Sequence, residues 1–167
     1  MRSGPGGMVG LVPKVTVPHP QDLTLDEALC FALYSASRAL TGFYRPQLDE
    51  LGITYPQYLV LLALWERDGV PVGALAERVR LDYGTLSPLL KRLQTAGLIS
   101  RERRPDDERS VTVSLTEAGR ALRARADCIP GEVVAATGLD LESFEALRET
   151  LQRLTAAVSA ASIVASP

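Results

Sequence analysis

Leu98-Ile99-Ser100-Arg101-Glu102-Arg103-Arg104 and Arg109-Ser110-Val111-Thr112-Val113-Ser114-Leu115 are the only strand candidates in a chain of 167 residues. The second alternates apolar Val111, Val113 and Leu115 with polar residues, as a half-buried strand does. Pro105-Asp106-Asp107-Glu108 between them is turn-forming, so the pair reads as a hairpin. All other patterned segments have helical period.

Upstream of the hairpin two short helices are expected. Val72 to Val79 carries Leu75, Ala76 and Val79 on one face. After Arg80-Leu81, Asp82 caps a helix to about Ala96, with Leu86, Leu89, Leu90 and Leu93 facing inward and Gly97 closing it. Pro88 lies in this stretch, so the helix either starts nearer Thr85 or bends. Before them, Pro56 to about Arg67 is apolar almost all round, the mark of a buried helix. Further back, Thr24-Leu25-Asp26-Glu27 reads as a capping box. It opens a helix on Leu25, Leu29, Ala32, Ala36, Leu40 and Phe43 that runs to about Arg45, where Pro46 kinks or ends it. Beyond the hairpin, Thr116 caps a helix to about Cys128, before Pro130 and Gly131. Asp140 caps a last one with Leu141, Phe144, Leu147, Leu151, Leu154 and Val158 on one stripe. The fold class is therefore mainly α with a small β-hairpin, in winged helix-turn-helix order. In that order the second short helix enters a major groove while the hairpin tip reaches the adjacent minor groove.

Composition narrows the function classes. Apolar residues make up 46% and charged residues 23%, ordinary globular usage, and no apolar run approaches a membrane span. Residues 1–22 are rich in Gly and Pro and lack a signal peptide's apolar core, so they read as a flexible arm. The two cysteines then point to a reducing cytoplasm. A net charge of −2 does not advertise nucleic acid, and Val72 to Arg109 holds eight bases against six acids, a weak footprint. The DNA-binding expectation rests on architecture. His19 is the only histidine, the two cysteines are far apart, and no phosphate loop or nucleophile-base-acid set is present, so no metal or cofactor is expected.

Asp107-Glu108-Arg109-Ser110-Val111-Thr112-Val113-Ser114-Leu115-Thr116 resembles the D-x-R-x5-L-T signature of MarR regulators. Three further blocks are similar to the organic-hydroperoxide-sensing repressors of that family, the OhrR type. They are Leu29-Cys30-Phe31-Ala32-Leu33-Tyr34, Ile53-Thr54-Tyr55-Pro56-Gln57-Tyr58 and Gly84-Thr85-Leu86-Ser87-Pro88-Leu89-Leu90-Lys91-Arg92. The similarity runs from about Ala28 to Ile129. It implies a MarR-type domain over 23–160, with the winged helix-turn-helix at about 54–115, dimerisation helices at about 24–50 and 116–160, and a tail at 161–167.

The resemblance makes Cys30 the redox-sensing residue, although a free cysteine is also a small residue that packs well in cores. Cys30 is expected in the second turn of a capped helix, where residual dipole favours thiolate. Tyr34 lies about 40° around that helix from it, and Tyr44 returns to nearly the same face about 21 Å further along the axis. Tyr44 therefore cannot touch Cys30 of its own chain. In the resembling repressors, tyrosines at these positions hydrogen-bond the reactive cysteine across a dimer interface. Tyr34, Tyr44 and Tyr55 are the expected sensor pocket, with stacked core aromatics as the plainer alternative. Cys128 is either the resolving thiol for oxidised Cys30 or an incidental helix cysteine, in which case a low-molecular-weight thiol caps Cys30.

For DNA, the residues facing away from the leucine stripe of the recognition helix include Thr85, Ser87 and Arg92, with Lys91 flanking. Arg109 is the leading wing contact, and Arg103 and Arg104 meet backbone. The implied function is a homodimeric repressor on a pseudo-palindromic double-stranded operator, with an organic hydroperoxide as inducer. Two other classes stand beside it: a MarR-type repressor binding a small aromatic ligand non-covalently, and a thiol peroxidase. The enzyme reading has no arginine placed beside Cys30 and no thioredoxin-like alternation of strands and helices.

Overall fold

In a computed structural model the chain is described over residues 23–104 and 107–164, without the side chains of 103–110 and 162–164. The expected arm, 1–22, lies outside the described residues. The chain divides into a first unit that ends at Arg38 and a second that begins at Ala39.

The first unit opens with a single turn over Leu25–Glu27. Glu27 Oε2 accepts from the Thr24 N–H at 3.1 Å and from its hydroxyl at 2.8 Å. The α-helix itself, α1 (Leu29–Glu50), begins four residues later than the capping pattern suggests. It also runs through Pro46 and ends at Glu50. One missing N–H and the ring clash oppose that path, but the last turn inserts Leu48, 1% exposed, into the core.

The second unit carries the helix-turn-helix and the wing. α2 (Tyr55–Glu66) starts where Gln57 Oε1 accepts from both the Thr54 N–H (2.8 Å) and the Thr54 hydroxyl (3.0 Å). It buries Tyr58, Val60, Leu61 and Leu64, as its continuous apolar sequence requires. α3 (Val72–Val79) matches the sequence reading and buries Val72 and Leu75. It closes on Arg80 in the left-handed conformation, φ 54°. α4 (Tyr83–Thr95) is capped by Asp82, whose Oδ1 accepts from the Thr85 N–H at 2.9 Å. Pro88 therefore sits inside the helix and past its first turn. Its missing bond belongs to the Gly84 carbonyl, and Leu86, Leu90 and Leu93, each at most 1% exposed, hold the element in place. Leu89, read as inward-facing, is only half-buried.

The hairpin is β2 (Ile99–Arg104) and β3 (Asp107–Leu115), antiparallel from Ile99↔Leu115 to Arg103↔Val111, with a register shift between Arg103 and Arg104. A strand absent from the sequence reading, β1 (Val70–Pro71), pairs with the other side of β3 and gives the order β1-β3-β2. Two residues are too few to show alternation. A proline, which has no N–H to give a ladder, is tolerated only at such an edge.

Helix α5 (Glu117–Ala126) follows, with the Thr116 hydroxyl accepting from the Gly119 N–H at 3.0 Å. The expected run to Cys128 is corrected. The chain turns at Asp127 and Cys128, and a further helix, α6 (Ile129–Thr137), begins with Cys128 as its N-cap. Pro130 falls in the first turn of α6, where its missing donor has no partner to lose, so it starts a helix rather than ending one. α7 (Leu141–Val164) is capped by Asp140 Oδ1, which accepts from the Ser143 N–H at 2.8 Å. It continues past residue 160, into the segment expected to be a tail, and 165–167 lie outside the described residues.

The root of the wing is fastened at several points. The Thr116 hydroxyl donates to the Gly97 carbonyl (2.6 Å), and its N–H to the Leu98 carbonyl (3.1 Å). Asp68 Oδ1 accepts from the N–H groups of Gly69 and Leu115, both at 2.8 Å, while its Oδ2 takes Arg120 Nη1 at 2.7 Å. Trp65 Nε1 donates to the Gly119 carbonyl at 2.9 Å. One carboxylate and one indole thus bind the end of α2, the end of β3 and the start of α5 into a single block.

Candidate sensing cleft and DNA-binding surface

Tyr44 on α1 and Tyr55 at the start of α2 come together, ring centroids 5.0 Å apart. Tyr58, one turn along α2, joins them at 5.8 Å from Tyr44. From sequence, Tyr58 is only one of the apolar residues of a buried helix. Its spacing of three from Tyr55 is the signal that could find it, since i and i+3 share a helix face. Desolvation raises all three phenols above the usual tyrosine range, helped at Tyr44 by its neighbours Tyr55 and Tyr58, and Tyr44 is pushed up to about 12. Each stays protonated across the physiological range and keeps an O–H to donate.

The Tyr44 and Tyr55 rings border a cleft of about 380 Å³. Leu40, Val133, Phe144, Leu147 and Leu151 give it an apolar lining, and Arg80 and Arg148 bring positive charge. Tyr44 and Tyr55 both line it.

Cys30 is exposed and is the second residue of α1, so it stands in the first turn and not the second. The first turn is where backbone donors are unpaired and the helix dipole favours an anion. Tyr34 is exposed and engaged by Arg38 four residues on. Arg38 Nη1 donates to the Tyr34 hydroxyl at 3.4 Å and the guanidinium carbon lies 5.7 Å from the ring centroid. Cys128 is exposed and stands close enough to Tyr58 to contribute to raising that phenol. The structure therefore brings Tyr44 and Tyr55 together and sets Cys128 near the same aromatic group. Among the described residues no set of His, Cys, Asp and Glu is grouped to hold a metal ion.

On the recognition helix α4, Thr85, Lys91 and Arg92 are exposed and Ser87 is half-buried. The Thr85 hydroxyl hydrogen is already given to Asp82 Oδ2 at 2.6 Å, so toward DNA it offers acceptor lone pairs. That bond, with the Thr85 N–H, holds the Asp82 carboxyl below its usual range. Arg101 Nε donates to Gln94 Oε1 at 2.8 Å and ties β2 to the end of α4, a link not foreseen from sequence. Arg103, Arg104 and Arg109 have their backbones in the wing strands, and their side chains lie outside the described residues.

A capped recognition helix, a wing rooted beside it and an apolar cleft in the same unit define a transcriptional regulator of the winged-helix class. Comparison with known proteins agrees. The family model for the transcriptional regulator SarA/Rot matches residues 42–125. The organic hydroperoxide resistance transcriptional regulator of Bacillus subtilis (strain 168) is 49% identical over 127 residues, covering 76% of this chain and 84% of the relative. Reduced AbfR bound to DNA superposes with a TM-score of 0.59 at 37% identity, over 78% of this chain and 95% of that one. Disulfide-formed AbfR gives 0.57 at 36% identity, over 78% and 92%. The chain belongs to the MarR/SarA-type winged-helix transcriptional regulators, a family of DNA-binding regulators and not of enzymes.

Proposed function

We propose that this protein is a cytoplasmic homodimeric repressor that leaves its operator when an organic hydroperoxide oxidises Cys30. The observation that carries the reading is the cleft, in which tyrosines that stay protonated stand in an apolar lining. Such a lining admits an organic peroxide and disfavours a hydrophilic one. Fourteen residues of helix separate Cys30 from Tyr44 in the sequence, so the thiol served by Tyr44 and Tyr55 is that of the partner subunit. Two surfaces support a dimer. Leu29 and Leu33 of α1 are exposed. α7 is 24 residues long, has no buried residue among those described, and shows Leu141, Leu147, Leu151 and Val158 to solvent. A helix with an apolar stripe left uncovered marks an association surface.

In the chemistry, the Cys30 thiolate attacks the distal peroxide oxygen. The O–O bond breaks, an S–O bond forms, and the departing alkoxide takes up a proton to leave as the alcohol. Sulfur has then lost two electrons and the peroxide has gained them. The sulfenic acid next condenses with a low-molecular-weight thiol, forming a disulfide and releasing water. Phenol O–H groups donate to the anionic sulfur before the first step. A dimer sets two α4 helices against half-sites about one helical turn apart in a pseudo-palindromic operator. The relatives lend support through what their names say: one concerns organic hydroperoxide resistance, and AbfR has been seen both reduced on DNA and with a disulfide formed.

Fluorescence anisotropy with labelled operator tests the reading. Cys30→Ser binds DNA as the wild type does and stays bound after a stoichiometric dose of cumene hydroperoxide, which releases the wild type. Release of the serine variant refutes oxidation of Cys30 as the trigger and favours a ligand held non-covalently in the cleft.

A further inference from the structure

Along α1, inside the first unit, three side chains form a row with a direction. Cys30, Tyr34 and Arg38 follow one another at intervals of four, all exposed, each step turning about 40° and rising about 6 Å. A side chain on a helix leans back over the turn before it. Arg38 does so: its Nη1 donates to the Tyr34 hydroxyl at 3.4 Å, and its guanidinium carbon stands 5.7 Å from the ring centroid. By the same lean the Tyr34 ring extends toward the turn that holds Cys30.

The bond between Arg38 and Tyr34 decides what the phenol has left to give. A guanidinium has donors and no acceptor, so the Tyr34 oxygen accepts and its own hydrogen is not spent on Arg38. A donor on that oxygen polarises the O–H and strengthens the bond it makes in turn. A carboxylate at position 38 would do the reverse and draw the hydrogen away from Cys30. Arg38 is also the first charged residue of α1, and no ion pair of it occurs among the described residues. Before the helix, the carboxylate of Glu27, three residues from Cys30, is already committed to Thr24 by two bonds to Oε2. The one full charge along the row is therefore positive and stands at the end remote from sulfur.

We infer that Arg38 is a positioning residue for the chemistry of Cys30. It holds Tyr34 with the phenol hydrogen free for the Cys30 thiolate, and it acts on sulfur only through that ring. This rests on the proposed role of Cys30 as the reacting thiol. It adds to that role a residue that touches neither the sulfur nor the peroxide.

Two probes separate this inference from the sensing role. Iodoacetamide reads the reactivity of the Cys30 thiolate without any peroxide, and cumene hydroperoxide reads its oxidation. Both are followed at neutral pH on the full-length protein by the mass of the Cys30 peptide. Arg38→Met should slow both reactions about three- to tenfold, the effect of losing one hydrogen bond. Tyr34→Phe should slow them by a similar factor or more. The double variant, Arg38→Met with Tyr34→Phe, should be no slower than Tyr34→Phe alone, because the guanidinium then has no phenol to act through. Arg38→Lys keeps a donor and the charge, so it should recover part of the loss. Operator affinity of the unoxidised variants and their urea midpoints should match wild type. The inference is overturned if Arg38→Met reacts as fast as wild type, if Arg38→Lys is no faster than Arg38→Met, or if the double variant is slower than Tyr34→Phe by the full Arg38→Met factor. A loss of rate that tracks a lowered operator affinity or urea midpoint overturns it too. A wild type whose Cys30 is alkylated but not oxidised by cumene hydroperoxide overturns only the sensing role, because the iodoacetamide comparison stands without it.

Discussion

Replacing Gly119 with alanine sets two effects of opposite sign against each other. Gly119 is buried near the start of α5, and in a helix interior alanine is favoured over glycine by about 0.5–1 kcal/mol. A Cβ built on Gly119, however, lies 2.0 Å from the Leu98 carbonyl oxygen and 3.2 Å from Leu115 Cδ2. The first partner is backbone and cannot rotate away, so α5 must shift by more than an ångström. That shift strains two bonds made by the same residue, its N–H to Thr116 and its carbonyl to Trp65. Overpacking of this kind costs about 1–3 kcal/mol, so contact outweighs propensity and the net loss is about 1–2 kcal/mol. Urea denaturation at fixed protein concentration reads this as a midpoint lowered by roughly 0.5–1 M, given a slope of about 2 kcal/mol/M. Gly131→Ala in α6 is the control. A Cβ at that position meets nothing within 4 Å, so only the propensity gain remains and the midpoint should rise slightly. An unchanged or raised midpoint for Gly119→Ala refutes the close approach of α5 to the wing root.

Three further outcomes are expected. Tyr44→Phe should slow oxidation of Cys30 without abolishing it and should flatten the alkaline loss of stability. The wild-type phenol ionises near 10 when unfolded and near 12 when folded, so folding stability falls as pH rises through that window, a slope that pH-dependent urea titrations would show reduced in the variant, with the share of Tyr55 and Tyr58 remaining. Arg109→Ala should leave the fold intact and weaken operator binding by about 1–3 kcal/mol if the residue reads a base edge, and unchanged affinity in a gel-shift series removes it from the interface. Peroxide-treated protein supplied with a small thiol should run as monomer on a non-reducing gel with a mass adduct at Cys30. A covalent dimer that disappears in Cys128→Ser would instead make Cys128 the resolving thiol.

What can be read from the sequence follows from how local each determinant is. α4 is legible because a capping aspartate, a leucine stripe and a closing glycine all fall within one segment of chain, and α3 because Leu75, Ala76 and Val79 share one face. The hairpin is legible from alternation in β3. β1 is not, because it is two residues long and exists only by pairing with Val113 and Thr112, more than forty residues away. α6 escapes notice because Pro130 and Gly131 look like breakers, although a proline in a first turn breaks nothing. Of the residues proposed to sense, Tyr44 and Tyr55 are placed by family resemblance, and their rings meet where α1 and α2 approach. Tyr58 is hidden by its own helix, whose apolar residues on every side leave no face to single out. Arg80 and Arg148 cannot be found from sequence, since nothing local says that a helix cap and a residue in the second turn of α7 border one cavity.

Trp65 is the only tryptophan in the chain, and its surroundings give it a use. Its ring meets Tyr58 edge-on, with centroids 6.1 Å apart, while its N–H ends on the Gly119 carbonyl at the wing root. Indole emission is sensitive both to hydrogen bonding at nitrogen and to neighbouring aromatic rings. The molecule therefore carries a built-in optical gauge between cleft and wing. Any event at the tyrosines that moves α2 against α5 registers as a change in colour or intensity, on unlabelled protein and in real time, whether or not DNA is present.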